Sequence, residues 1–586
     1  MDKTAELFKM IEENQSIVIF GHIYPDGDCY GASEGLKYAL AEFYPDKEIY
    51  VSQTDWHSAP DSFPHAFFVN DEIIKRSLHI IVDLPDRRRV GDKRAFDLPG
   101  TGMIKVDHHY FAEDFGGLEI IDENRASVSD FLASMLYSRF KHLPKMAASL
   151  FYLGLTTDSG RFQYYYDSNL LSIAARLSED GADVQTIYDS IYVVSEDSVQ
   201  FKGYLYSNYQ KTFFGVSYCK VPYEVSKKYG YDGHGAALCV NTIGNIEESH
   251  VYVVFGEDQS GKVYCELRSK GPEIDVHKVA VEFGGGGHFN ASGCTLASMA
   301  EADKVIQRLE ESVIESYGEY HRELKTLLSL AASCSSIIMG YYHLGFQVEI
   351  KDDNSPVTTA DKASDQLIRD TLLKEFPSYG LLTEEDKDDK TRLTKDLVFI
   401  IDPLDGTSDF VEKDDEFAIN LALTYKGEPV IGVVAIPFTG DIYFAVKGRG
   451  AFLKKKDKMI QKIHVSYKTK DLRVLRSVFH YNEKLEDLYK AKSDVIASVI
   501  PCGSALKACK IASGQAEVSY AVGNGTKEWD TCAPQLLVEE AGGVYTDNLN
   551  EVMKYNRDDV YNHHGFTILN REENNILSSE DLERIK

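Results

Sequence analysis

Hydrophobic residues in the first 160 positions occur in short β-branched runs that alternate with helix-like stretches. Three of these runs carry polar residues at their C-terminal ends: Ser16–Phe20, Ile80–Asp83 and Met103–Asp107. Because continuous apolar runs of this length are typical of buried strands, we predict an open α/β sheet in this region. Ligands bind at the carboxyl edge of such sheets, so the polar residues there are candidate site residues.

The pattern changes farther along the chain. A mixed strand and helix region ends in the glycine-rich stretch 283–288, and a charged helix with one apolar face is predicted from Met299 to about residue 316. A second helical pattern begins at Glu323, so we place the major domain boundary near residue 320.

Strands are predicted again in the C-terminal part. Leu397–Ile401 has the pattern of a buried strand, while Val430–Ile436 and Ile442–Ala445 flank a turn and predict a hairpin. The chain as a whole therefore has the pattern of an α/β protein with several domains.

Composition limits the classes of partner. Of 586 residues, 92 are aspartate or glutamate and 63 are lysine or arginine, which gives a formal net charge of −29. We expect no binding of long duplex nucleic acid or of anionic membranes, because both partners select basic surfaces. Small anionic substrates stay compatible with this charge, since bound metal ions can reverse the local field.

Nine scattered cysteines without a CxxC pair favour a reduced interior over a disulfide framework or a zinc cluster. The polar N-terminal residues lack the apolar core of a signal peptide, and the strongly apolar runs are shorter than 18 residues. We therefore expect a cytoplasmic protein without a transmembrane helix.

Histidine and aspartate residues form four clusters at strand ends or in adjoining loops of the N-terminal half. They are His22-x-x-Pro25-Asp26-Gly27-Asp28, Asp83, Asp107-His108-His109 and Thr157-Asp158-Ser159-Gly160. One such cluster alone is more often a turn, a helix cap or a structural histidine pair. Four in order favour a metal site, and mixed imidazole and carboxylate ligands suit Mn, Fe or Zn better than Ca. Two such ions about 3.5–4 Å apart can activate a water and clamp a phosphoryl oxygen.

The order HxxPDGD, D, DHH and TDSG resembles the DHH phosphoesterase superfamily. The N-terminal half is similar to its nanoRNases, which degrade very short oligonucleotides and dephosphorylate 3′-phosphoadenosine 5′-phosphate (pAp). The resemblance implies two Mn ions, one held by His22, Asp26, Asp83 and Asp158 and the other by Asp28, Asp83, His108 and Asp158. His109 would face the scissile phosphate, and Asp107 would orient the histidine pair from behind the ligands.

Glu266–Gly271 and Gly284–His288 resemble the substrate-binding DHH-associated domain. By this resemblance, Arg268 and His288 would bind a phosphate or terminal nucleotide, while Gly286 and Gly287 let backbone N–H groups approach an anion. We accordingly expect a parallel-sheet DHH domain at residues 1–190 and a smaller α/β domain at 191–318. DHH enzymes of this size often form dimers, so a homodimer is one option.

A second set of acidic residues occupies the C-terminal half. Its members are Asp361 in TTAD, Glu384 in EED, Asp402 and Asp405 in DPLDGT, and Asp530 after Trp529. All candidate ligands are oxygens, which favours Mg. The strand Leu397–Ile401 would deliver Asp402 and Asp405 from one tight turn, with the Leu404 carbonyl free as a third ligand. The acidic stretch after Glu384 alone would fit a solvated loop.

This second pattern resembles the inositol monophosphatase-like superfamily of metal-dependent, lithium-sensitive phosphatases. The resemblance implies a layered α/β domain at residues 319–586 and two or three Mg ions. Their ligands would be Glu384, Asp402, the Leu404 carbonyl, Asp405 and Asp530. Glu384 with Thr407 would activate the water, and Asp361 would orient Thr407 or assist a further metal.

Within that superfamily, DPLDGT, GSALK and EWDTCAP look most like 3′(2′),5′-bisphosphate nucleotidases of the CysQ type. Ser504 and Lys507 would contact the non-scissile phosphate, although Lys507 also fits a solvated helix residue. We therefore expect a bifunctional hydrolase that acts on short oligoribonucleotides and pAp. Two alternatives are a C-terminal half specific for inositol or sugar phosphates and one half that only senses nucleotides.

Overall fold

The computed structural model of the chain describes residues 3–56, 58–65, 67–109, 113–163, 165–246, 249–351, 356–456, 460–478, 482–523 and 525–585. The chain divides into two compact units, Met1–Val199 and Gln200–Lys586. Both units are α/β, as the hydrophobic pattern predicts. The domain limits expected at residues 190 and 318 stay predictions.

The first unit is built on one parallel sheet. Its strands are β1 (Ser16–Phe20), β2 (Glu48–Val51), β3 (Leu78–Val82), β4 (Gly102–Asp107) and β5 (Leu118–Ile121). They are all parallel, in the order β2-β1-β3-β4-β5. The three strands predicted from the apolar runs are thereby confirmed.

Helices cover both faces of this sheet. They are α1 (Lys3–Glu13), α2 (Gly27–Phe43), α3 (Asp71–Lys75), α4 (Arg94–Asp97), α5 (Val128–Arg139), α6 (Lys145–Asp158), α7 (Ser168–Glu179) and α8 (Val184–Tyr192). Ile17 and Ile19 belong to a core with α2, α5 and α6, whereas Val18 and Phe20 pack with α3 and α4 on the other face. Because both faces are covered, the strands are continuous apolar runs.

The expected place of Thr157–Gly160 at a strand end or adjoining loop is wrong. Thr157 and Asp158 are the last residues of α6, and Ser159 is its C-cap. The preceding apolar run forms a buried helix because it packs closely on α2, where a Cβ on Gly31 would lie 2.4 Å from the Leu150 carbonyl oxygen.

Helix α9 (Glu196–Asn208) includes the boundary between the two units, and a six-stranded sheet follows it in the second unit. The strands are β6 (Gln210–Lys211), β7 (Val216–Val221), β8 (Val251–Glu257), β9 (Val263–Ser269), β10 (Gly286–His288) and β11 (Ala291–Leu296). Their order is β10-β11-β9-β8-β7-β6, and only β7 and β8 are parallel. The helices are α10 (Tyr223–Lys228), α11 (Gly233–Leu238), α12 (Asn241–Gly244), α13 (Val276–Glu282) and α14 (Ala302–Glu315).

Two further sheets form the rest of this unit, besides a small hairpin of β12 (Val348–Ile350) and β13 (Pro356–Thr358). The larger sheet has β14 (Gly380–Thr383), β15 (Leu397–Asp405), β16 (Ala418–Tyr425), β17 (Glu428–Ile436), β18 (Asp441–Val446), β19 (Gly450–Lys454) and β20 (Ile460–Ile463), in that order. The smaller has β21 (Leu472–Arg476), β22 (Ile496–Pro501), β23 (Val518–Ala521), β24 (Val544–Thr546) and β25 (Phe566–Leu569), in the order β22-β21-β23-β25-β24. The predicted hairpin is confirmed by the antiparallel pairing of β17 with β18.

Helices and sheets alternate in layers here. The helices are α15 (His321–Leu344), α16 (Thr359–Glu375), α17 (Thr407–Glu412), α18 (Glu483–Ala491), α19 (Leu506–Ala512), α20 (Glu528–Glu540) and α21 (Ser579–Ile585). Phe399 and Ile401 of β15 pack with α15 and α16, whereas Val398 and Ile400 pack with α19 and α20. The same α19–α20 core includes Ile568 of the smaller sheet, so the layered α/β expectation is confirmed.

One helix in the described residues, α15, is long and apolar enough by length and composition to cross a membrane. In the structure its Leu327, Ala331 and Cys334 are buried in the core that it shares with the seven-stranded sheet. Packing within the protein therefore accounts for the apolar composition of this helix.

Two candidate metal centres

The first unit gathers its histidine and aspartate residues at the carboxyl edge of the parallel sheet. His22 follows β1, Asp83 follows β3 and Asp107 is the last residue of β4. Asp26 caps α2, and one of its oxygens accepts the backbone N–H of residues 28 and 29 at 3.1 and 3.0 Å. The topology thus brings together residues that are far apart in the sequence.

Asp83 lies at the centre of this group. Its Oδ2 is 3.4 Å from His22 Nε2, and its Oδ1 is 3.6 Å from His108 Nε2 and 3.5 Å from His109 Nδ1. His108 Nε2 is also 3.4 Å from Asp158 Oδ2. Ligand atoms lie within 4.8 Å of one another in three overlapping sets: His22, Cys29 and Asp83; Asp83, His108 and His109; and Asp28, His108 and Asp158.

Backbone carbonyls orient two of the histidine rings. His22 Nδ1 is 3.0 Å from the carbonyl oxygen of Ile23, and His108 Nδ1 is 3.2 Å from that of Arg125. Nδ1 donates its proton to the carbonyl in each case, so Nε2 is the nitrogen that faces the carboxylates. Against the opposing effect of burial, the neighbouring carboxylates raise the pKa of His108, and a bound cation would replace the proton on Nε2.

The N-terminus of helix α5 holds the side chain of Asp28. Its two carboxylate oxygens accept the backbone N–H groups of Val128 and Ser129, at 2.7 and 2.9 Å, at the N-terminus of α5. The side chain is fully buried, so its orientation toward His108 and Asp158 is held by these two hydrogen bonds.

A buried lysine stands behind the histidine pair. His109 Nδ1 donates to Asp107 Oδ1 at 2.8 Å, and Lys105 Nζ lies 3.5 Å from Asp107 Oδ2. Lys105 is 1% exposed, and its ammonium donates to the Glu113 carbonyl at 2.7 Å. Burial lowers the pKa of Lys105. The sequence analysis missed this residue, because one lysine inside an apolar run carries no pattern that marks it.

The electrostatics of this group fit bound cations. Burial and the charge of Asp83 raise the pKa of Asp28 to about 7, and burial with the charges of Asp28 and Asp26 raises the pKa of Asp158. Asp83 Oδ1 has no hydrogen-bond partner among the described residues. A divalent cation between these carboxylates would relieve their repulsion, so the donor set fits a metal centre.

Cys29 is a further neighbour that the sequence analysis did not single out. Its buried sulfur accepts the His22 backbone N–H at 3.2 Å. Burial raises the pKa of the Cys29 thiol to about 11, so the thiol stays protonated at neutral pH and supports the His22 loop as a neutral group.

The second centre gathers Asp402, Asp405 and Asp530, with ligand oxygens within 4.8 Å of one another. The expectation of a tight turn after the strand is wrong, because β15 continues to Asp405 with a register shift between Asp402 and Asp405. Pro403 has no N–H for the ladder, so the pairing breaks at the bulge and resumes at Asp405. Both aspartates therefore lie within the strand, at the end of the sheet.

Backbone N–H groups hold all three carboxylates in place. Asp402 Oδ1 accepts from Leu404 at 3.0 Å, Asp405 Oδ2 from Ala505 at 2.6 Å, and Asp530 Oδ2 from Lys527 at 2.6 Å. The last bond belongs to the cap of α20, which places Asp530 in the first turn of that helix. Each carboxylate keeps a second oxygen for a ligand.

Thr407 connects Asp361 with the bulge. Its hydroxyl lies 3.1 Å from Asp361 Oδ1 and 3.2 Å from the carbonyl oxygen of Leu404. The other oxygen of Asp361 accepts from the Thr358 N–H at 2.8 Å, in the capping box of α16. The expected pairing of Asp361 with Thr407 is therefore present in the geometry.

Glu384 follows β14 and faces a cation that the sequence analysis missed. Lys351 Nζ lies 2.9 Å from Glu384 Oε1 and 2.6 Å from Glu385 Oε1. Burial, opposed by the Lys351 ammonium, raises the pKa of Glu385 to about 7. Glu384 lines the same cavity as Asp402 and Asp405, so the structure brings it to the centre as expected.

A cavity of about 390 Å³ opens beside these carboxylates and is also lined by Ser504 and Lys507. Lys507 Nζ donates to the carbonyls of Cys502 and Ser504, at 3.2 and 2.8 Å, which keeps the ammonium at the cavity wall. Ser504 has a left-handed φ of 39°, and its buried hydroxyl has no partner among the described residues. Both features indicate a binding role for this turn.

Repulsion between carboxylates also dominates the second centre. Burial and the neighbouring carboxylates raise the pKa of Asp402 and of Asp530. Burial raises the pKa of Asp405 to about 6, although the Lys507 ammonium opposes this shift. An all-oxygen set with these shifts fits Mg and its bound waters.

A buried network of hydrogen bonds, which the sequence analysis missed, joins two of the segments that carry candidate metal ligands. Arg392, 1% exposed, donates to Asp388 at 2.7 Å, to the Asn556 side chain at 2.8 Å and to the Arg557 carbonyl at 2.9 Å. Fully buried Glu528 accepts the backbone N–H groups of Asn556 and Arg557, both at 2.8 Å. The network therefore couples the loop after Glu384 to the first turn of α20, which carries Asp530.

The substrate residues expected in the DHH-associated part all lie in the second unit. Arg268 of β9 and His288 of β10 both pair with Ala291 of β11, so they project from the same face of the sheet with about 10 Å between their strands. Gly286 and Gly287 lie on β10, and Gly287 has a φ of 140°. Their part in substrate binding stays a prediction.

Comparison with known protein families gives matches to the segments that carry both sets of candidate ligands. Residues 16–155 match the DHH family, N-terminal domain, residues 215–315 match the DHHA1 domain, and residues 319–581 match the inositol monophosphatase family. A crystal structure of an exopolyphosphatase-related protein from Bacteroides fragilis is 26% identical and covers 55% of this chain and 97% of its own, with a TM-score of 0.48.

Curated relatives match each half separately. A bifunctional oligoribonuclease and PAP phosphatase from Mycoplasma pneumoniae is 30% identical over 315 residues, which are 53% of this chain and 96% of the relative. A 3′(2′),5′-bisphosphate nucleotidase from Salmonella typhimurium is 31% identical over 248 residues, 42% of this chain and 98% of the relative. The chain therefore belongs to two families of metal-dependent phosphoesterases, the DHH family through its N-terminal half and the inositol monophosphatase family through its C-terminal half.

Proposed function

We propose that the chain is a bifunctional phosphoesterase. The N-terminal half hydrolyses short oligoribonucleotides, pAp or both, and the C-terminal half removes the 3′ phosphate of pAp to give AMP. The observation that carries this proposal is the presence of two separate groups of candidate ligands. The first consists of three overlapping sets, mostly of histidine and aspartate, and the second is one set of carboxylates, with the ligand atoms of each set within 4.8 Å of one another. The names of the relatives that match each half support the substrates.

In the N-terminal centre, His22, Asp26, Asp83 and Asp158 would hold one Mn ion, and Asp28, Asp83, His108 and Asp158 the other. These ions would supply a water of lowered pKa and neutralise the phosphate charge. Asp107 holds the Nδ1 proton of His109, so Nε2 of that ring is left to contact the scissile phosphate.

In the C-terminal centre, Glu384, Asp402, the Leu404 carbonyl, Asp405 and Asp530 would hold two or three Mg ions, which would polarise the phosphate and the attacking water. The Thr407 hydroxyl donates to Asp361 and keeps a lone pair to accept a proton from that water. Ser504 and Lys507, at the wall of the cavity, would bind the second phosphate of pAp.

Lys507 favours a bisphosphate over an inositol or sugar monophosphate, because its ammonium at the cavity wall can pair with an anion beyond the scissile group. The presence of every proposed ligand of both sets among the described residues argues against a sensing role for one half.

The nine free cysteines support a reducing compartment, and we place the protein in the cytoplasm. Small nucleotides are the proposed partners, and a homodimer is compatible with the proposal.

Single substitutions in each centre distinguish the two proposed activities. Wild type, Asp83→Ala and Asp402→Ala are assayed on pAp, a diribonucleotide and inositol 1-phosphate, with Mn or Mg. The exposed residues Asp97 and Asp389, each changed to alanine, provide matched controls in the two halves. We expect Asp83→Ala to lose diribonucleotide hydrolysis and Asp402→Ala to lose Mg-dependent pAp hydrolysis, with each variant keeping the other activity. Unchanged pAp turnover with Mg in Asp402→Ala, or a preference for inositol 1-phosphate, would contradict the C-terminal assignment.

A further inference from the structure

A second cavity of the second unit has no residue in common with the carboxylate centre. It has a volume of about 770 Å³. Its walls come from the segment 206–213, which spans the end of α9 and β6, from the middle of α15, and from the segments 437–442 before and at the start of β18 and 454–456 at and after the end of β19. The cavity therefore lies between the edge strand β6 of the six-stranded sheet and the inositol monophosphatase part of this unit.

The charge of the cavity differs from that of the chain. Lys211, Lys454, Lys455 and Lys456 line it, and no aspartate or glutamate is among its described lining residues. The chain as a whole has a net charge of −29. The four lysines carry the only charged side chains among the described lining residues, so this part of the wall is locally positive and would concentrate a small anion.

Aromatic rings accompany the lysines. Tyr206, Tyr209, Phe213 and Phe438 line the cavity, and Phe438 is 46% exposed. Lys454 Nζ lies 4.8 Å from the centre of the Phe213 ring. Cations beside ring faces are the combination by which proteins bind a phosphate and stack the base attached to it.

We propose that this cavity is a nucleotide-binding site, with the lysines on the phosphates and the aromatic rings against the base. Its volume falls within the range of small-ligand sites, about 300–1,000 Å³. The site goes beyond the proposed function, because none of its residues belongs to either metal centre. An occupant would contact the segment 206–213, which includes β6, and α15 at once, so binding there would change how these two elements pack against each other.

The experiment titrates the full chain, freed of metal with EDTA, with ADP in a calorimeter. ADP lacks the 3′ phosphate that the proposed C-terminal reaction removes. Lys455 and Lys456 are exposed, so the double variant Lys455→Glu/Lys456→Glu tests the charge without disturbing the core. The matched control is Lys395→Glu/Lys426→Glu, which changes two exposed lysines outside the cavity. Lys507→Met tests whether ADP binds instead in the cavity of the carboxylate centre.

We expect one saturable ADP site, weakened at least tenfold by the cavity variant and less than twofold by the control and by Lys507→Met. Phe438→Ala should weaken ADP binding without affecting competition by inorganic phosphate. Hydrolysis of pAp by the cavity variant in the presence of Mg should stay within twofold of wild type in the absence of ADP. The proposal is overturned by an absence of ADP binding, by equal losses in the cavity variant and the control, or by inorganic phosphate displacing ADP as effectively as AMP does. Loss of binding in Lys507→Met alone would assign ADP to the other cavity.

Discussion

The Lys105 ammonium lies 3.5 Å from one oxygen of Asp107, whose other oxygen accepts the Nδ1 proton of His109 at 2.8 Å. Lys105 and Asp107 are two positions apart on β4, so their side chains share one face of the strand. Both are almost completely buried. The ammonium therefore lies beside a buried carboxylate, and that carboxylate fixes the ring proposed to face the substrate.

We predict that Lys105→Met lowers kcat for diribonucleotide hydrolysis about tenfold while KM changes less than twofold, because supports behind a metal site act on orientation. It should also cost about 1–3 kcal/mol of unfolding free energy, since buried Asp107 Oδ2 loses its charged neighbour while Oδ1 keeps its hydrogen bond to His109. Steady-state kinetics and urea denaturation measure the two effects. Exposed Lys93→Met is the control. Equal losses at both active centres would mean general unfolding and would refute a positioning role.

Arg392 provides the second prediction. Because Arg392 joins Asp388 to the segment that holds Glu528, Arg392→Met should lower the unfolding free energy of the second unit by about 3–5 kcal/mol, as measured by urea denaturation.

Glu528→Gln keeps the shape of the side chain but removes its charge, and it should raise the Mg concentration for half-maximal pAp hydrolysis about tenfold. A Mg titration of initial rates gives this value.

Lys390 offers a control within the same loop. It forms ion pairs with Asp388 and Asp558, at 3.2 and 3.3 Å, but its side chain is 44% exposed. Lys390→Met should therefore change unfolding free energy by less than about 1 kcal/mol and leave the Mg dependence unchanged. If Lys390→Met raised the Mg concentration for half-maximal pAp hydrolysis as much as Glu528→Gln does, any charge in the loop would have this effect. That result would contradict a specific role of the buried network.

The sequence predicted the elements that depend on local pattern. β1 has the bounds expected from its apolar run, and the hairpin of β17 and β18 follows from two apolar runs around a turn. The candidate ligands that the structure brings together could also be picked out, because most of their motifs place carboxylates or histidines next to such a run. These features need only a few neighbouring residues, and for this reason they can be read from one chain.

Features that depend on distant packing could not be predicted in the same way. Asp158 reaches the first centre from the end of a helix, and that helix is placed by the close approach of Gly31 to the backbone of α6. Arg392 donates a hydrogen bond to Asn556, which is 164 positions away in sequence. Lys105 and Arg392 are single charges with no repeating pattern around them, so only the tertiary structure shows that they are buried and paired.

Asp409 gives a prediction about pH. It is 4% exposed, and burial with the carboxylates of Asp414 and Asp405 raises its pKa to about 8. Its pKa in the unfolded chain is about 3.9, so the folded state binds the extra proton between these two values. Unfolding free energy therefore falls as pH rises through this window, by up to about 1.4 kcal/mol per unit for this group.

Asp409→Asn should remove this contribution, so that its unfolding free energy declines less steeply from pH 6 to pH 8 than that of wild type. Urea denaturation in EDTA measures it, with Trp529 fluorescence reporting the second unit in a Trp56→Phe background. The exposed Asp370→Asn should keep the wild-type slope. Parallel curves for wild type and Asp409→Asn would contradict the raised pKa.

Gly406 leads to the last prediction, which separates backbone strain from crowding at the second centre. Gly406 and Gly448 have φ values of 84° and 75°. A Cβ at Gly406 would lie 3.0 Å from Asp409 Oδ2 and 3.1 Å from Ser504 Cβ, whereas a Cβ at Gly448 would have no neighbour within 4 Å. Gly448→Ala should therefore cost only about 1 kcal/mol of strain, with unchanged kinetics. Gly406→Ala should cost about 2–3 kcal/mol and raise KM for pAp, because the turn that carries Ser504 must move. Equal effects of the two substitutions on stability and KM would show that this turn does not position the substrate phosphate.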